Sequence, residues 1–473
     1  MGQQTKQFHS ILTAMIVASG MTFSTLASAA GFIVPENNAR GLGSAFAGNA
    51  TLARDASSNF NNPAAITRMP GTNITLSGVA ITGDAVFHAE GAKNSFGTTQ
   101  GVDDYQQSEL KTFEWIPSFH VSHQLSDKVW AGFSMTAPFG LTTEVEEDSI
   151  QRYFATDTSL ITLNFNPNLA FKVNDQLSVA AGVNVSWGRA ILNRMVDGGS
   201  LCQGESLKPN ANPAFSLCNQ SGENDFEINN SGDDWGYGWN LAAHWKANQQ
   251  TEVGVAYRSQ VHYAIKGETD FTVESSNTQG VKSLTVLSQD PRFQTQGVTA
   301  SLTTPDTFSI GVAHEYNAEW KVLADAQWTN WSKFKQLVLN FDTLDTNTTP
   351  ENWNDTWRYA IGAEFSPEGK WEYRAGLALD EAPVNAEDRT SRAPDNDRVW
   401  YSFGASYAYS EMMTFDIGYA YVDIKDSELN ETDHLVNGAH PAISGSPLNR
   451  AEVSGRYTDG EAHLITAQMN LRF

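Results

Sequence analysis

Two groups of side chains in the sequence could bind a metal ion. His120 and His123 stand three positions apart, and the run Glu144–Asp148 carries four carboxylates that could hold a divalent cation. Side chains three positions apart on a strand point to opposite faces, so we interpret the histidines as structural residues. We interpret the acidic run as a solvated loop. The sequence therefore predicts no metal site.

Catalytic and cofactor-binding motifs are absent from the sequence. It contains no Gly-x-Ser-x-Gly elbow, no His-Glu-x-x-His pair and no phosphate-binding loop. The glycines of Gly41-Leu42-Gly43, followed by Gly48, miss the dinucleotide-binding spacing and follow no predicted strand. We predict no catalytic residue and no cofactor. A hydrolase whose active groups come together from distant strands stays open as an alternative.

Cys202 and Cys218 are the only two cysteines, in a stretch rich in Gly, Ser, Asn and Pro. In an oxidising compartment they can form a disulfide, which for a loop of this size stabilises by about 3 kcal/mol on the chain-entropy account. Two unpaired thiols are the alternative. A zinc site is poorly supported, because no histidine lies near them.

The composition of the chain excludes two classes of protein. Its 473 residues carry a net charge of −24, which argues against nucleic acid as a partner. After the first 30 residues no run of about 18 apolar residues could cross a bilayer as a helix. Charged residues make up only 18% of the chain and aromatic residues 11%, while the mean hydropathy is −0.37.

The N-terminus has the features of an exported protein. Lys6 provides a basic start, the segment 11–20 is mostly apolar, and Ala27-Ser28-Ala29 fits a signal-peptidase site. We predict a signal peptide over residues 1–29. The alternative, a buried N-terminal helix, fits poorly with so short an apolar segment.

The elements that must position any functional residue are strands. Between Trp371 and Asp380, for example, apolar residues alternate with Glu372, Arg374 and other small or polar residues, which places the two sets on opposite faces of a strand. About fourteen such runs follow from Ile74 onward, and an even number is typical of bacterial membrane barrels.

Two folds produce this alternation, a soluble β-sandwich and a membrane barrel. The signal peptide, the aromatic residues near strand ends and the last strand, His463–Phe473 with its terminal Phe, favour the barrel. We therefore predict an all-β fold, a transmembrane antiparallel β-barrel of about 14 strands over residues 73–473. Residues 30–72 form either a plug, or hatch, inside the lumen or a disordered leader. Four polar stretches are expected to be long surface loops: Asp197–Ser231, Thr269–Thr304, Phe341–Asn354 and Asp426–Gly460.

Several segments resemble the FadL family of long-chain fatty acid transporters of Gram-negative outer membranes. They are Ala30-Gly31-Phe32, Gly41–Gly48, Asn62-Pro63-Ala64, Gly140–Glu144, Trp235–Asn240, Tyr257-Arg258-Ser259, Trp328–Ser332 and Asp380–Arg398. The resemblance implies a monomeric barrel closed by the hatch. Fatty acid would be captured in an outer groove, held in a lumenal pocket and released by hatch movement through a lateral opening at a kink in the third strand.

The resemblance also implies roles for individual residues. Phe32 would line the pocket and Arg194 would contact the carboxylate. Asn62, in the hatch motif Asn62-Pro63-Ala64, would meet the kink at Phe139-Gly140. A glycine there would weaken strand pairing and permit a bend. The Cys202–Cys218 disulfide would brace the outer groove.

One departure leaves the substrate class open. The family pattern places a second basic residue in the loop before Trp357, but Asp345–Asp355 contains none. The alternatives are therefore an importer of aromatic or alkane hydrocarbons, an outer-membrane lipid hydrolase, or a structural or adhesive barrel. Further expected partners are outer-membrane lipids and lipopolysaccharide at the acidic loops, and the barrel assembly machinery at Phe473.

Overall fold

A computed structural model describes residues 31–93, 107–206, 209–218, 224–273, 278–432 and 451–473. The predicted signal peptide, 1–29, lies outside the described residues. The described strands are Thr72–Lys93 (β1), Gln107–Gln124 (β2), Val129–Thr136 (β3), Gly140–Glu144 (β4), Asp157–Lys172 (β5), Leu177–Val196 (β6), Phe226–Lys246 (β7), Thr251–Arg258 (β8), Val261–Thr272 (β9), Gln296–Thr304 (β10), Thr307–Glu315 (β11), Trp320–Thr329 (β12), Gln336–Phe341 (β13), Asn347–Pro350 (β14), Thr356–Phe365 (β15), Trp371–Asp380 (β16), Arg398–Ser410 (β17), Met413–Ile424 (β18), Ser427–Thr432 (β19) and Glu452–Arg472 (β20).

These segments close into one antiparallel barrel. Within the described ranges the wall has fourteen positions, six of which consist of two consecutive segments: β3 with β4, β8 with β9, β10 with β11, β12 with β13, β14 with β15 and β18 with β19. The last strand pairs with the first from Asn73 opposite Arg472 to Lys93 opposite Glu452, which closes the sheet. The predicted fold is confirmed.

The apolar face of the strands points outward. On β16, Leu377 and Leu379 are 47% and 59% exposed, whereas Arg374 on the same strand is 4% exposed. A soluble sandwich would bury the apolar set instead. An exposed apolar belt around a polar lumen is the arrangement of a membrane barrel.

None of the described helices is both long enough and apolar enough to span a membrane.

Several strands run further than the sequence predicted. The expected loop Asp197–Ser231 includes the start of β7, Thr269–Thr304 includes the end of β9 and all of β10, Phe341–Asn354 contains β14, and Asp426–Gly460 contains β19 and the start of β20. These extensions are rich in Asn, Thr, Ser and Asp, and their apolar residues, such as Leu302 and Leu429, are few and buried, so the sequence pattern did not identify them as strands. Hydrogen bonds to the neighbouring strands extend these strands beyond the apolar belt.

The loop after β6 and the loop after β9 together form a small folded unit. It contains the helices Gly198–Ser206 and Thr278–Leu287 and the 3₁₀ turns Pro213–Leu217 and Pro291–Phe293. Cys202 and Cys218 form a disulfide, as predicted, and pack with Phe226, Leu287 and Phe293. The bridge joins two loop segments across an apolar cluster.

Residues 31–71 fill the lumen. They fold into two short helices, Ala39–Leu42 and Ser58–Asn61, and a 3₁₀ helix, Pro63–Arg68, and most of their side chains are buried. This segment is a plug and not an extended leader. Charged side chains of the inner wall hold it, with Arg40 3.0 Å from Asp416 and Arg54 2.7 Å from Glu364.

Candidate functional site

The start of the hatch lies against a break in the barrel wall. The backbone N–H of Gly140 donates to the carbonyl of Phe32 at 2.9 Å, and the N–H of Val34 donates to the carbonyl of Pro138 at 2.9 Å. Ile33 and Phe139 form an isolated antiparallel bridge between these bonds. The hatch therefore supplies a short internal strand to β4.

The wall has a gap beside this contact. β3 pairs with β2 only from Phe119 opposite Met135 to Gln124 opposite Trp130. Beyond Phe119, the part of β2 over 107–118 pairs with β1 alone among the described residues, and β4 pairs only with β5. Among the described residues the wall therefore has no backbone ladder between β2 and β4; Thr142 Oγ1 donates to Glu114 Oε1 at 3.2 Å across this gap, and the hatch lies against it from inside.

The kink follows from lost hydrogen bonds and not from a glycine conformation. Pro138 has no N–H to donate to a ladder. The Thr162 hydroxyl of β5 accepts from the N–H of Phe139 at 3.0 Å and lies 2.7 Å from its carbonyl, to which it can donate. A methyl group at Gly140 would come no closer than 3.4 Å to Val34, and Gly140 is not among the residues of positive φ. The space and the backbone conformation at Gly140 would thus also admit an alanine.

Phe32 lies in a cage of aromatic rings. Its ring centroid is 4.4 Å from that of Trp331, 5.4 Å from Trp353, 5.8 Å from Phe334 and 6.0 Å from Phe139. Edge-to-face ring pairs of this kind contribute about 0.5–1.5 kcal/mol each beyond burial. The cage continues into an apolar cluster formed by Leu160, Val261, Tyr263, Ile265, Leu302, Val384 and Ala393. We call this whole set the chamber.

A cavity adjoins the chamber on the side of the gap. Its volume is about 90 Å³, and it runs between the hatch and the kink. Val34, Phe46 and Phe60 line it from the hatch, with Pro138 and Phe139 from the wall. Asn240, Arg258, Asp325 and Arg358 of the inner wall also line it, so the cavity joins the kink to a partly polar region of the lumen.

Two arginines stand at the edge of the chamber. Arg194 of β6 is 7% exposed, and its Nη1 donates to the carbonyl of Tyr153 at 3.3 Å. Arg392, in the loop between β16 and β17, is half-buried and donates to Thr158 Oγ1 at 2.8 Å and to the Asn193 carbonyl at 3.1 Å. Ala393, the next residue, belongs to the chamber.

Sequence reasoning missed Arg392. The signal that could have found it is an arginine beside Ala393-Pro394, inside the longest segment that resembles the family. Burial, together with the positive charge of Arg194, lowers the pKa of Arg392 to about 10. Arg392 remains a cation at neutral pH.

Asn62 lies away from the kink. Its Oδ1 accepts from the N–H of Ala64 at 3.0 Å, and its amide donates to the carbonyls of Ala50 at 2.6 Å and Ala243 at 3.0 Å. These bonds start the 3₁₀ helix at Pro63 and tie the hatch to β7. The contact expected between Asn62 and Phe139-Gly140 is made instead by residues 32–34, because they pair with the kink as a strand.

The two histidines point to opposite sides of β2. His120 is buried and lies 2.9 Å from Ser134 Oγ, whereas the His123 ring lies 2.8 Å from Thr72 Oγ1 at an exposed position. Over the described ranges, no group of three or more His, Cys, Asp or Glu side chains could hold a metal ion.

Comparison with known proteins agrees with this architecture. The sequence matches the family described as outer membrane protein transport protein (OMPP1/FadL/TodX) over residues 20–473. The long-chain fatty acid transport protein of Escherichia coli is 27% identical over 428 residues, covering 89% of this chain and 93% of that protein. Outer membrane protein P1 of Haemophilus influenzae is 27% identical over 480 residues, covering 94% and 99%.

Solved structures share the fold. A Pseudomonas aeruginosa FadL homologue superposes with a TM-score of 0.79 at 23% identity, covering 94% of this chain and 100% of that one. The toluene transporter TbuX of Ralstonia pickettii gives a TM-score of 0.60 at 17% identity, covering 91% and 99%. Because the family match extends over almost the whole sequence, the chain belongs to this family of outer-membrane transport proteins.

Proposed function

We propose that this protein takes up long-chain fatty acids by passive diffusion across the outer membrane. The ligand is captured at the outer loops, held in the chamber and released through the gap between β2 and β4 when the hatch moves. The Escherichia coli relative carries the name of a long-chain fatty acid transport protein, which supports this substrate class.

The observation that carries the proposal is an apolar chamber with two guanidinium groups at its edge. A fatty acid has the same division, an alkyl chain and one carboxylate. Each buried CH₂ contributes about 0.8 kcal/mol, which is enough to draw a long chain out of water. A guanidinium can hold a carboxylate by two charge-assisted hydrogen bonds. Arg194 and Arg392 are suited to the head group, and Phe32 and its neighbours to the chain.

The outer loops offer a surface for capture. Apolar side chains line an open cavity of about 470 Å³ beside the disulfide-linked unit, among them Phe271, Val273, Val281, Leu284 and Phe293. Several of the same residues pack against Cys202 and Cys218. The disulfide braces this groove, so its apolar wall is formed before a ligand arrives.

Release requires the contact between hatch and kink to open. Two backbone hydrogen bonds and the ring of Phe32 hold residues 32–34 across the gap. A ligand chain that takes the place of the Phe32 ring competes with those contacts. Withdrawal of the segment would connect the chamber to the gap in the wall.

A second candidate is uptake of aromatic hydrocarbons. The ring of Phe32 meets four aromatic rings, three of them edge-on, so the chamber is shaped around a phenyl group. A small aromatic molecule would find the same partners once that ring moved. The structural neighbour TbuX is named as a toluene transporter.

Growth and uptake assays separate these functions. In a strain that lacks its own transporter, this protein is expected to restore growth on oleate, with an unrelated outer-membrane barrel as the control. Failure of a well-expressed protein to do so would reject fatty acid uptake. Accumulation of labelled toluene without growth on oleate would favour the second candidate, and release of fatty acid from phospholipid vesicles would indicate a hydrolase.

We also propose three features of the mature protein in its membrane. It works as a monomer, its acidic loops meet lipopolysaccharide through divalent cations, and the assembly machinery recognises its C-terminus. Phe473 is 57% exposed, and its backbone pairs with Thr72 of β1. Its ring is therefore accessible at the end of the closing strand.

A further inference from the structure

Arg392 has only neutral hydrogen-bond partners. Its guanidinium donates to Thr158 Oγ1 at 2.8 Å, to the Asn193 carbonyl at 3.1 Å and, at 3.4 Å, to the Asp157 carbonyl. Among the residues that the structure describes, no carboxylate oxygen lies within 4.0 Å of it. A partly buried guanidinium with no carboxylate in direct contact is costly, so this position favours an anion.

The arginines that hold the hatch differ in this respect. Arg40 and Arg54 each contact a wall carboxylate, Asp416 at 3.0 Å and Glu364 at 2.7 Å respectively. Arg374 likewise contacts Glu372 at 2.6 Å. These three cations have a carboxylate partner, whereas Arg392, like Arg258 beside the hatch residue Phe60, donates only to neutral oxygens.

Electrostatics at Arg392 also favour an anion. Burial and the nearby charge of Arg194 lower the pKa of its guanidinium, and the more distant carboxyl groups of Glu431, Asp157 and Glu351 offset only part of that effect. Two cations that raise each other's energy are both stabilised when a carboxylate comes between them. The attraction between these guanidinium groups and a carboxylate is stronger at this site than in water, because the site is partly desolvated.

The position of Arg392 matches the edge of the chamber. Thr158, which it contacts, lies two residues before Leu160 of the chamber on β5, and Ala393 follows it directly in the chamber. Thr143 Oγ1 of β4 donates to the Arg392 carbonyl at 2.9 Å, which fixes the loop beside the kinked strand. The side chain therefore approaches the chamber from the loop side, on the same edge as β6 and Arg194.

We propose that Arg392 binds the ligand carboxylate together with Arg194, and that it supplies the second positive charge that the segment Asp345–Asp355 lacks. This inference rests on the proposed function and names the residue that makes the chamber selective for anionic amphiphiles. The carboxylate takes over hydrogen bonds that the guanidinium now gives to the Asn193 and Asp157 carbonyls. Fatty acids are then distinguished from neutral chains of equal length by this loop.

A pair of ligands with one chain length tests the inference. Binding of dodecanoate and of dodecanol is measured on the purified full-length protein and on its Arg392→Ala variant. Loss of a hydrogen bond to a charged group corresponds to about a 10- to 100-fold weaker affinity, which we expect for dodecanoate. Dodecanol should bind within about 2-fold of the unaltered protein, since it carries no charge for Arg392 to bind.

Three further variants make the test specific. Arg392→Lys keeps the charge and should retain part of the dodecanoate affinity, and Arg392→Gln keeps a donor near Thr158 if the alanine variant does not fold. Arg189→Ala removes an equal charge from an exposed position on β6 and should change neither affinity. An equal loss for dodecanoate and dodecanol, or no loss for either, would overturn the role of Arg392.

The pH profile provides a readout that a structural role would not change. Dodecanoate binding should fall as the ligand carboxylate gains a proton near pH 4 to 5, roughly the range of a carboxyl group in water. The fall should be smaller in Arg392→Gln, and dodecanol should show no such profile. If the unaltered protein binds dodecanol but not dodecanoate, the proposed function fails as well. If it binds both and Arg392→Gln keeps the full profile, only the inference fails.

Discussion

Phe32 joins the hatch, the chamber and the kink at one residue. Its carbonyl accepts from Gly140, and its ring contacts Trp331 and Trp353, which come from loops far along the chain. A change in any of these partners should therefore alter the contact between the hatch and the gap in the wall. Phe32 thus connects the hatch to the kink through its backbone and to the chamber through its ring.

Glu351 should make the stability of this region depend on pH. It is 4% exposed, its Oε2 accepts from Trp353 Nε1 at 2.9 Å, and burial raises its pKa from 4.5 to about 8. The folded protein then binds a proton that the unfolded chain has released. The free energy of unfolding should fall by about 1.4 kcal/mol for each pH unit as pH rises from about 4.5 to about 8, and should level off above.

Urea unfolding in lipid vesicles at pH 5, 7 and 9 measures this effect. Glu351→Gln should flatten the dependence, whereas Glu387→Gln, at an exposed position in the following loop, should leave it unchanged. Parallel curves for the unaltered protein and Glu351→Gln would show that Glu351 does not titrate in this way.

Sequence reasoning reached only part of the candidate site. Phe32 and Phe139 were found through the family resemblance, because they stand in short recognisable segments. Trp353 and Arg392 were not found, since each comes from a loop whose residues have no local period and reaches the chamber only through the closed sheet. For the same reason the sequence could not show which backbone groups Asn62 bonds, namely those of Ala50, Ala64 and Ala243. Which residues meet inside a barrel depends on strand register, which composition does not set.

At the scale of elements, the kink between β3 and β4 depends on pairing and not on Gly140. Gly140→Ala should change the free energy of unfolding by less than about 0.5 kcal/mol, because the methyl group fits. Thr162→Val should cost about 1–3 kcal/mol, because the buried N–H of Phe139 loses its acceptor. Thr162 is fully buried beside the kink.

Hydrogen exchange over residues 136–144 is the more local measurement for these two variants. Exchange should rise in Thr162→Val and stay unchanged in Gly140→Ala. The reverse ranking would mean that glycine itself makes the bend.

The strands themselves were largely predictable, but their ends were not. The period-two pattern is strongest where one face meets lipid, as between Trp371 and Asp380. Above that belt the outward residues are polar, as at Glu428 and Asn430 of β19, and β14 and β19 lie in stretches that the sequence alone assigned to loops. Pairing with a neighbour maintains such a strand without any hydrophobic pattern.

At the scale of the whole molecule, the outward apolar belt should contribute strongly to the free energy of unfolding in lipid. Ile417 on β18 is 61% exposed, and Ile417→Arg should cost about 2–4 kcal/mol if it lies near the bilayer midplane. Leu217→Arg, at a residue 72% exposed in the disulfide-linked loop, should cost almost nothing. Urea unfolding in vesicles compares the two, and equal costs would contradict the membrane placement of the belt.

The contacts of the plug also fix when it can finish folding. The N–H of Ala39 donates to Gln468 Oε1 at 2.8 Å, and Gln468 Nε2 donates to Asp55 at 2.9 Å, so the first folded segment is bonded to the last strand. Those bonds need β20, the last strand in the chain, to be in place beside the hatch. The part of the chain that is synthesised first is thus completed last, and it must already be inside when the wall closes around it.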